Sequence, residues 1–372
     1  MRLQRYKSSN ERNRNMKNRY VLFMIACLLG IQLCGFQFSG SQLHAANMPG
    51  KPTGNERIFL HHKGTVSLFA ADKLKEAVEA SVDGDTLFLT NGNYGFQAMS
   101  NGKEIYYGAK PITISKSVCI VGEGEDTYIG ALAIDITDAR KECHLYGIKS
   151  NLAIGQSLAK LDIQKSYVLL SINASIDDTQ LKSSKLNLSI SGWSTELKAF
   201  RAENCLINSC NFGIVDSDNL HISLNHCNIY ELGGSGDDGD EYMNSFKGDI
   251  SNSIIDHLKA VEGETRYFDP AVTLTNVLIR KTSEAYNPFK ICKQTGSFAL
   301  LSNDEILDTT GACRWTTETL TSKGCIGNDN TVMGALGGTT PYSLTLEAPQ
   351  LQNPVLDINS SNHKLMFNLD IK

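Results

Sequence analysis

Asp72-Lys-Leu-Lys-Glu-Ala-Val-Glu-Ala-Ser81, followed at once by Asp85-Thr-Leu-Phe-Leu-Thr90, decides how this chain is read. In the first segment Leu74, Ala77, Val78 and Ser81 fall at i, i+3, i+4 and i+7, so they share one face of a helix over 72–81, with Asp72 as N-cap and Gly84 as the stop. In the second the period drops to two, which predicts a strand closed by the turn Asn91-Gly92-Asn93. Working outward, Pro111-Ile-Thr-Ile114 and Val118-Cys-Ile-Val121 read as a strand pair that Gly122-Glu-Gly124 ends.

Beyond residue 130 short strands follow one another and align. The clearest copies are Leu206-Ile-Asn208-Ser-Cys210, Leu224-Asn225-His-Cys227, Ile250-Ser-Asn252-Ser-Ile254 and Leu274-Thr-Asn276-Val-Leu278, with weaker ones at Leu161-Asp-Ile163 and Leu186-Asn-Leu188-Ser-Ile190. Aligned on Asn208, Asn225, Asn252 and Asn276, the period varies around about 20 to 25 residues, as in a solenoid with insertions in its turns. In such a coil alternate residues enter the lumen, and like residues stack along the axis. Repeated Asn at a bend is therefore read as structural. Cys210 and Cys227 fall at one register in this alignment, as stacked thiols or as a disulfide across adjacent strands.

The order of helix, Gly-Asp-Thr strand, Ile-Thr-Ile strand and Val-Cys-Ile-Val-Gly strand resembles the opening of secreted right-handed parallel β-helices of the pectin-lyase-like class. In that class the helix plugs the N-terminal end of the solenoid. Met333-Gly-Ala-Leu-Gly-Gly338-Thr-Thr-Pro-Tyr342 resembles the final coil of secreted Bacteroidetes β-helix proteins. The expected fold is all-β: a single-stranded right-handed parallel β-helix over 58–342 with a capping helix, and a C-terminal extension over 343–372 that forms a hairpin. The 372 residues require no second core, because a solenoid grows by adding coils.

Residues 1–46 read as a signal peptide: seven Lys/Arg and one acid precede an uncharged apolar run from Tyr20 to Phe38, and Leu43-His-Ala-Ala46 offers a cleavage site. Met16 is an alternative start. A transmembrane anchor is the competing reading of the apolar run, and Met24-Ile-Ala-Cys27 loosely resembles a lipobox, although the apolar run continues past Cys27. Residues 47–57 form a leader. The expected location is periplasmic, outer-surface or secreted, with no integral membrane domain after the signal is removed. Setting aside the seven basic residues and one acid of 1–46 takes the formal net charge from −5 to −11, which argues against a nucleic-acid partner. Neither CxxC metal spacing nor a cysteine-knot pattern occurs, so most of the remaining cysteines read as small buried hydrophobes.

Two insertions interrupt the repeat. The first, Glu231 to Tyr242, is Gly-rich and carries Glu231, Asp237, Asp238, Asp240 and Glu241; the second, Lys259 to Asp269, carries Glu262, Glu264, Arg266 and Asp269. Pectate-type lyases pair a Ca²⁺ ion with an Arg or Lys base. On that reading Asp237, Asp238, Asp240 and Glu241 would hold Ca²⁺, and Lys259 or Arg266 would take the proton, with Lys247 and Arg280 as further candidate bases. His257 and His226, at strand ends, are candidate general bases. Asp216-Ser-Asp218 and Asp237-Asp238 fit a hydrolase carboxylate pair only superficially. No lyase run surrounds any of these arginines, and the hydrolase segments Gly-His-Gly and Arg-Ile-Lys are absent. Trp193 and Trp315 would stack on sugar or pack over a loop. The expected function is polysaccharide engagement by a monomer without an efficient catalytic centre. A Ca²⁺-dependent lyase acting on a uronate glycan is the alternative, and a purely structural or adhesive surface protein the second.

Overall fold

The computed structural model describes residues 57–94, 98–100, 103–105, 111–136, 138, 140–191, 195–212, 220–234, 247–258, 272–281, 293–295, 299–302, 306–344, 351–359 and 364–371. The candidates Trp193, Asp216, Asp218, Asp237, Asp238, Asp240, Glu241, Lys259, Glu262, Glu264, Arg266 and Asp269 lie outside them, as do residues 1–56.

Strands alternate between two long sheets, each joined in parallel to the strand one coil before and one coil after, to give a β-solenoid of about six turns. The first sheet takes strands such as Leu158–Gln164, Ile176–Lys182 and Leu220–Asn225; the second takes Tyr167–Ile172, Lys185–Ile190 and Asn228–Gly234. Alternation along each strand sends one residue in two inward. Ile154, Ile172 and Ile190 stack in register, as do Leu145, Ile163 and Leu181, all at most 2% exposed. Each such side chain contributes about 1.5–3 kcal/mol by leaving water.

The corner from the first sheet to the second is the most regular part of each coil. Gly147, Lys165, Ser183, Asn204, His226, Asn252 and Asn276 occupy it successively, all left-handed, with φ between 47° and 59°. Gly and Asn tolerate this region, and other residues hold it at a cost the surroundings must offset. Part of the offset comes from the next residue. Ser166, Ser184 and Ser253 donate their hydroxyls to the carbonyl two residues back, and each accepts the amide of Ile148, Ser166 or Cys227 from the preceding coil. Cys205 and Cys227 take the same place, donating Sγ–H to Glu203 and Asn225.

This corner corrects the sequence alignment. The residue equivalent to Asn252 and Asn276 is His226, not Asn225, and one coil earlier it is Asn204, not Asn208. Leu161–Ile163 and Leu186–Ile190 belong to different sheets and are not copies of one position. Cys227 stacks with Cys205, whereas Cys210 pairs in register with Leu188 and Leu232; all three are free thiols.

At the N-terminal end an antiparallel hairpin, Arg57–His62 with Thr65–Ala70, is joined to the strand Thr86–Leu89, and the helix Leu74–Ala80 buries Leu74, Ala77 and Val78 as expected. Asp72 does not cap it: a 3-10 turn, Ala71–Lys73, leads in and no side chain caps either segment. Ile112–Ile114 and Cys119–Val121 are not a pair either, since the first joins the second sheet and the other lies in the first.

Residues 306–344 add no coil. They form a strap, containing the short helix Thr317–Ser322, that runs along the outside of the corner. Asn204 Nδ2 donates to the carbonyls of Ala335 (3.3 Å) and Gly337 (2.7 Å); Asn252 exchanges hydrogen bonds with Asn328; and Asn228 Oδ1 accepts the Ala335 amide. A second apolar cluster, Ile306, Leu307, Leu320, Cys325 and Met333, closes over Ile254 and Leu278. Asn204 and Asn252 thus bond to the strap, and Asn252 also donates along the stack to Asn225 Oδ1 of the neighbouring coil. The Gly-Gly segment assigned to a final coil lies in this strap. Gly334, Gly337 and Gly338 are where it comes against Asn228, His226 and Asn204.

Leu351–Asn359 and Lys364–Ile371 belong to a separate compact unit and form the expected antiparallel hairpin.

Candidate functional site

Two clusters of ionisable side chains lie on the outside of the solenoid. The first is where the strands approach the two insertions. Glu231 and His257 are neighbours across adjacent coils of the second sheet, and Ser209 precedes Glu231 in the same column. Ser209 Oγ and the nearby Asn211 Oδ1 are buried without a hydrogen-bond partner among the described residues.

The histidine is not free. Its Nε2 lies 3.4 Å from Arg280 Nη1, its Nδ1 lies 3.0 Å from Asp256 Oδ1 but out of hydrogen-bonding line, and its ring packs at 4.9 Å on Tyr230. Asp256 is fully buried. It accepts Arg280 Nη1 at 2.8 Å on one oxygen and the amides of Ile306 and Leu307, at 2.9 and 2.8 Å, on the other. Arg280, considered as a proton acceptor from the sequence, is therefore the counter-ion of a carboxylate that anchors the start of the strap.

His226 is likewise held. It is buried in the corner, with Nε2 2.9 Å from Asp329 Oδ2 and Nδ1 3.3 Å from the Gly334 carbonyl. Burial alone would raise the Asp329 pKa. The Thr331 amide and hydroxyl, together with His226, reverse this and leave it below the usual carboxylate value. Trp315 borders the second apolar cluster, with Lys323 Nζ 4.7 Å from its ring centre.

The other cluster, on the outer face of the first sheet, has no counterpart among the sequence candidates. Here Asp162, 5% exposed, accepts Tyr146 OH (2.8 Å) and Gln164 Nε2 (3.0 Å), and His144 Nδ1 stands 3.4 Å away. The other ring nitrogen of His144 is 3.1 Å from Glu142. Burial opposes ionisation of Asp162, but these three partners overcome it, so its pKa is lowered; burial and the Asp162 charge push the Tyr146 phenol up.

The column continues in register through Gln180, Arg201, Ser223, Asp249 and Thr273, and the flanking Arg201–Asp178 and Lys182–Glu203 pairs close at 2.8 and 3.2 Å. The period-two pattern of Glu142-Cys-His-Leu-Tyr146 is visible in sequence. The partner of His144, 18 residues on, becomes visible only once the coil length is known.

Chemically, the cluster around Asp162 is a closed network whose carboxylates are matched by partners from their own or the next coil, whereas the cluster around His257 leaves Ser209 Oγ, Asn211 Oδ1 and His257 Nδ1 buried without a hydrogen-bond partner among the described residues. Among the described residues no three His, Cys, Asp or Glu side chains form a metal-holding group, and no helix is long and apolar enough to cross a membrane. The expected Ca²⁺ ligands lie outside those residues.

The fold and side chains therefore define a class, the parallel β-solenoids. No family model, no curated protein and no solved structure matches the chain.

Proposed function

We propose that the protein is an exported β-helix protein of the pectin-lyase-like kind, from a Bacteroidetes-like bacterium, that holds polysaccharide on the flanks of its solenoid and does not turn it over. One observation carries this reading. Hydrogen-bonding side chains repeat in register at one-coil spacing, about 4.8 Å, along the outer sheet face, while the acid–base groups among them are committed to each other. A periodic rigid surface suits a periodic ligand, because several weak polar contacts form without reordering the protein.

The test is a glycan array probed with the full chain, followed by incubation of every bound glycan with protein and Ca²⁺. Binding without new reducing ends or unsaturated products is the expected result. Absence of binding, together with recovery of a protein partner at the cell surface, would replace this reading with an adhesive or structural one. Unsaturated uronate products lost on Asp237→Ala, Asp238→Ala would replace it with the Ca²⁺-dependent lyase.

A further inference from the structure

The two outer sheet faces differ in charge. The first mixes both signs, with Glu142, Asp162, Asp178, Glu203 and Asp249 among Lys160, Lys182 and Arg201. Across four coils of the second, from Ala131–Ala133 through Asn151–Ala153 and Leu169–Ser171 to Asn187–Ser189, no outward side chain is acidic. That is unexpected on a chain of net charge −5.

Along the corner edge of this face runs the register Lys149, Tyr167, Lys185. Both ammonium groups lie over the tyrosine ring, Lys149 Nζ at 5.2 Å and Lys185 Nζ at 5.0 Å from its centre. Neither lysine has an ion-pair partner among the described residues, whereas Lys73, Lys75, Lys141, Lys182 and Lys198 each have one. Asp308 of the strap makes no ion pair with Lys185 among the described residues, although that charge helps to lower its pKa. It is hydrogen-bonded instead to the Thr310 amide and hydroxyl and the Ala312 amide. The strap meets the corner at Asn204 and Ile207, and its far end reaches the corner at Gly124, where a Cβ would stand 3.9 Å from the Leu344 carbonyl oxygen; it borders this edge and leaves exposed the face beyond, at Asn151, Ala153, Leu169, Ser171 and Ser189.

We infer that this face is the seat of an anionic polysaccharide. Two cations two coils apart, about 9.5 Å along the axis, match carboxylates or sulfates on alternate sugars of an extended chain. The ring between them holds that spacing, since each ammonium is drawn to its face. Next to them Asn151 and Asn187 offer amides, and Ser171 and Ser189 offer hydroxyls. Leu169, 42% exposed, with Ala153 beside it, gives a flat apolar floor for the C–H face of a pyranose. Two lysines on an acidic chain are too few for nucleic acid, whose affinity rests on many phosphate contacts. The inference rests on the glycan reading above and names the chemical class and the place.

The experiment measures binding of the full chain to immobilised polygalacturonate, dextran sulfate, neutral dextran and a single-stranded oligodeoxynucleotide. It uses the native protein, Lys149→Gln/Lys185→Gln, and the control Lys75→Gln/Lys198→Gln, which removes the same charge elsewhere. At least one anionic glycan should bind, weakening about tenfold or more in the first variant and little in the control, with unchanged thermal unfolding. Raised salt should release the anionic glycan, giving the same reading without a variant. Equal losses in both variants, no loss in the first, or equally strong oligonucleotide binding would overturn the inference. Binding of dextran but of neither anionic polymer would overturn it while leaving the glycan reading in place; binding of no glycan on the array removes both.

Discussion

Asp256→Ala should release the strap. The carboxylate is fully buried, and one side chain holds three groups: Arg280, 18% exposed, and the amides of Ile306 and Leu307, both residues 0% exposed. Hydrogen bonds from the two amides to a charged acceptor contribute about 1.5–3 kcal/mol each. Stripping one partner from a buried ion pair costs about 3–5 kcal/mol. The terms share one carboxylate and do not add, so the expected loss is about 4 kcal/mol, close to a thousandfold in the local opening equilibrium. Asp256→Asn keeps an oxygen for the amides but loses the charge facing Arg280, and should fall between. Hydrogen exchange over 306–344, beside a denaturant titration of the whole chain, measures both effects. Unchanged strap exchange in Asp256→Ala, with a stability loss under about 1 kcal/mol, would refute the anchor role.

Gly334→Ala should loosen the same strap. Its φ is +83° and an added Cβ would collide with Asn228 Oδ1 and the Ile254 side chain, whereas at Gly84, φ +89°, it would meet nothing, so a melting-temperature drop much larger for Gly334→Ala than for Gly84→Ala is expected. Asp329 and Asp308 both have folded pKa values below the ordinary 3.8, so their contribution is complete above that value and is lost as pH falls through the folded values. Strap protection, taken relative to the intrinsic exchange rate at each pH, should therefore be level from pH 7 to 5 and fall only below about pH 4. Burial pushes the Cys143 and Cys210 thiols up to about 12 and Cys227 well above its ordinary value, so native protein should leave them unlabelled by a thiol reagent at pH 8, with full labelling in denaturant.

The parts legible in sequence were those written in local periodicity. Leu74, Ala77 and Val78 announce the cap because a helix of 3.6 residues per turn places them together, and the strand Thr86–Leu89 follows from alternation. The sequence alignment misplaces the corner by one residue at Asn225 and by four at Asn208. Asn is only one of the residues that accept its left-handed backbone, so His226 interrupts the register that Asn204, Asn252 and Asn276 share. The strap was illegible for a different reason. Its bonds join residues 50 to 133 positions apart, as between Asp256 and Ile306 or Asn204 and Gly337, and no local pattern encodes such a distance. The cluster at Asp162 depends in the same way on an 18-residue coil that only the assembled fold reveals.

The two-residue corner has a consequence for how the chain can change length. Corner-to-corner spacing is 18 residues in the early coils and 26 where the acidic insertion enters, yet corner geometry is the same in both. Apart from a bulge within the second-sheet strands, the added length enters the chain between a second-sheet strand and the next first-sheet strand and never at the corner, so the corner acts as a fixed seam from which every coil is measured. Because the strap is fastened along that seam, coils of unequal girth present it with evenly spaced fastenings. Loops may lengthen or shrink across the molecule without putting the clasp out of step.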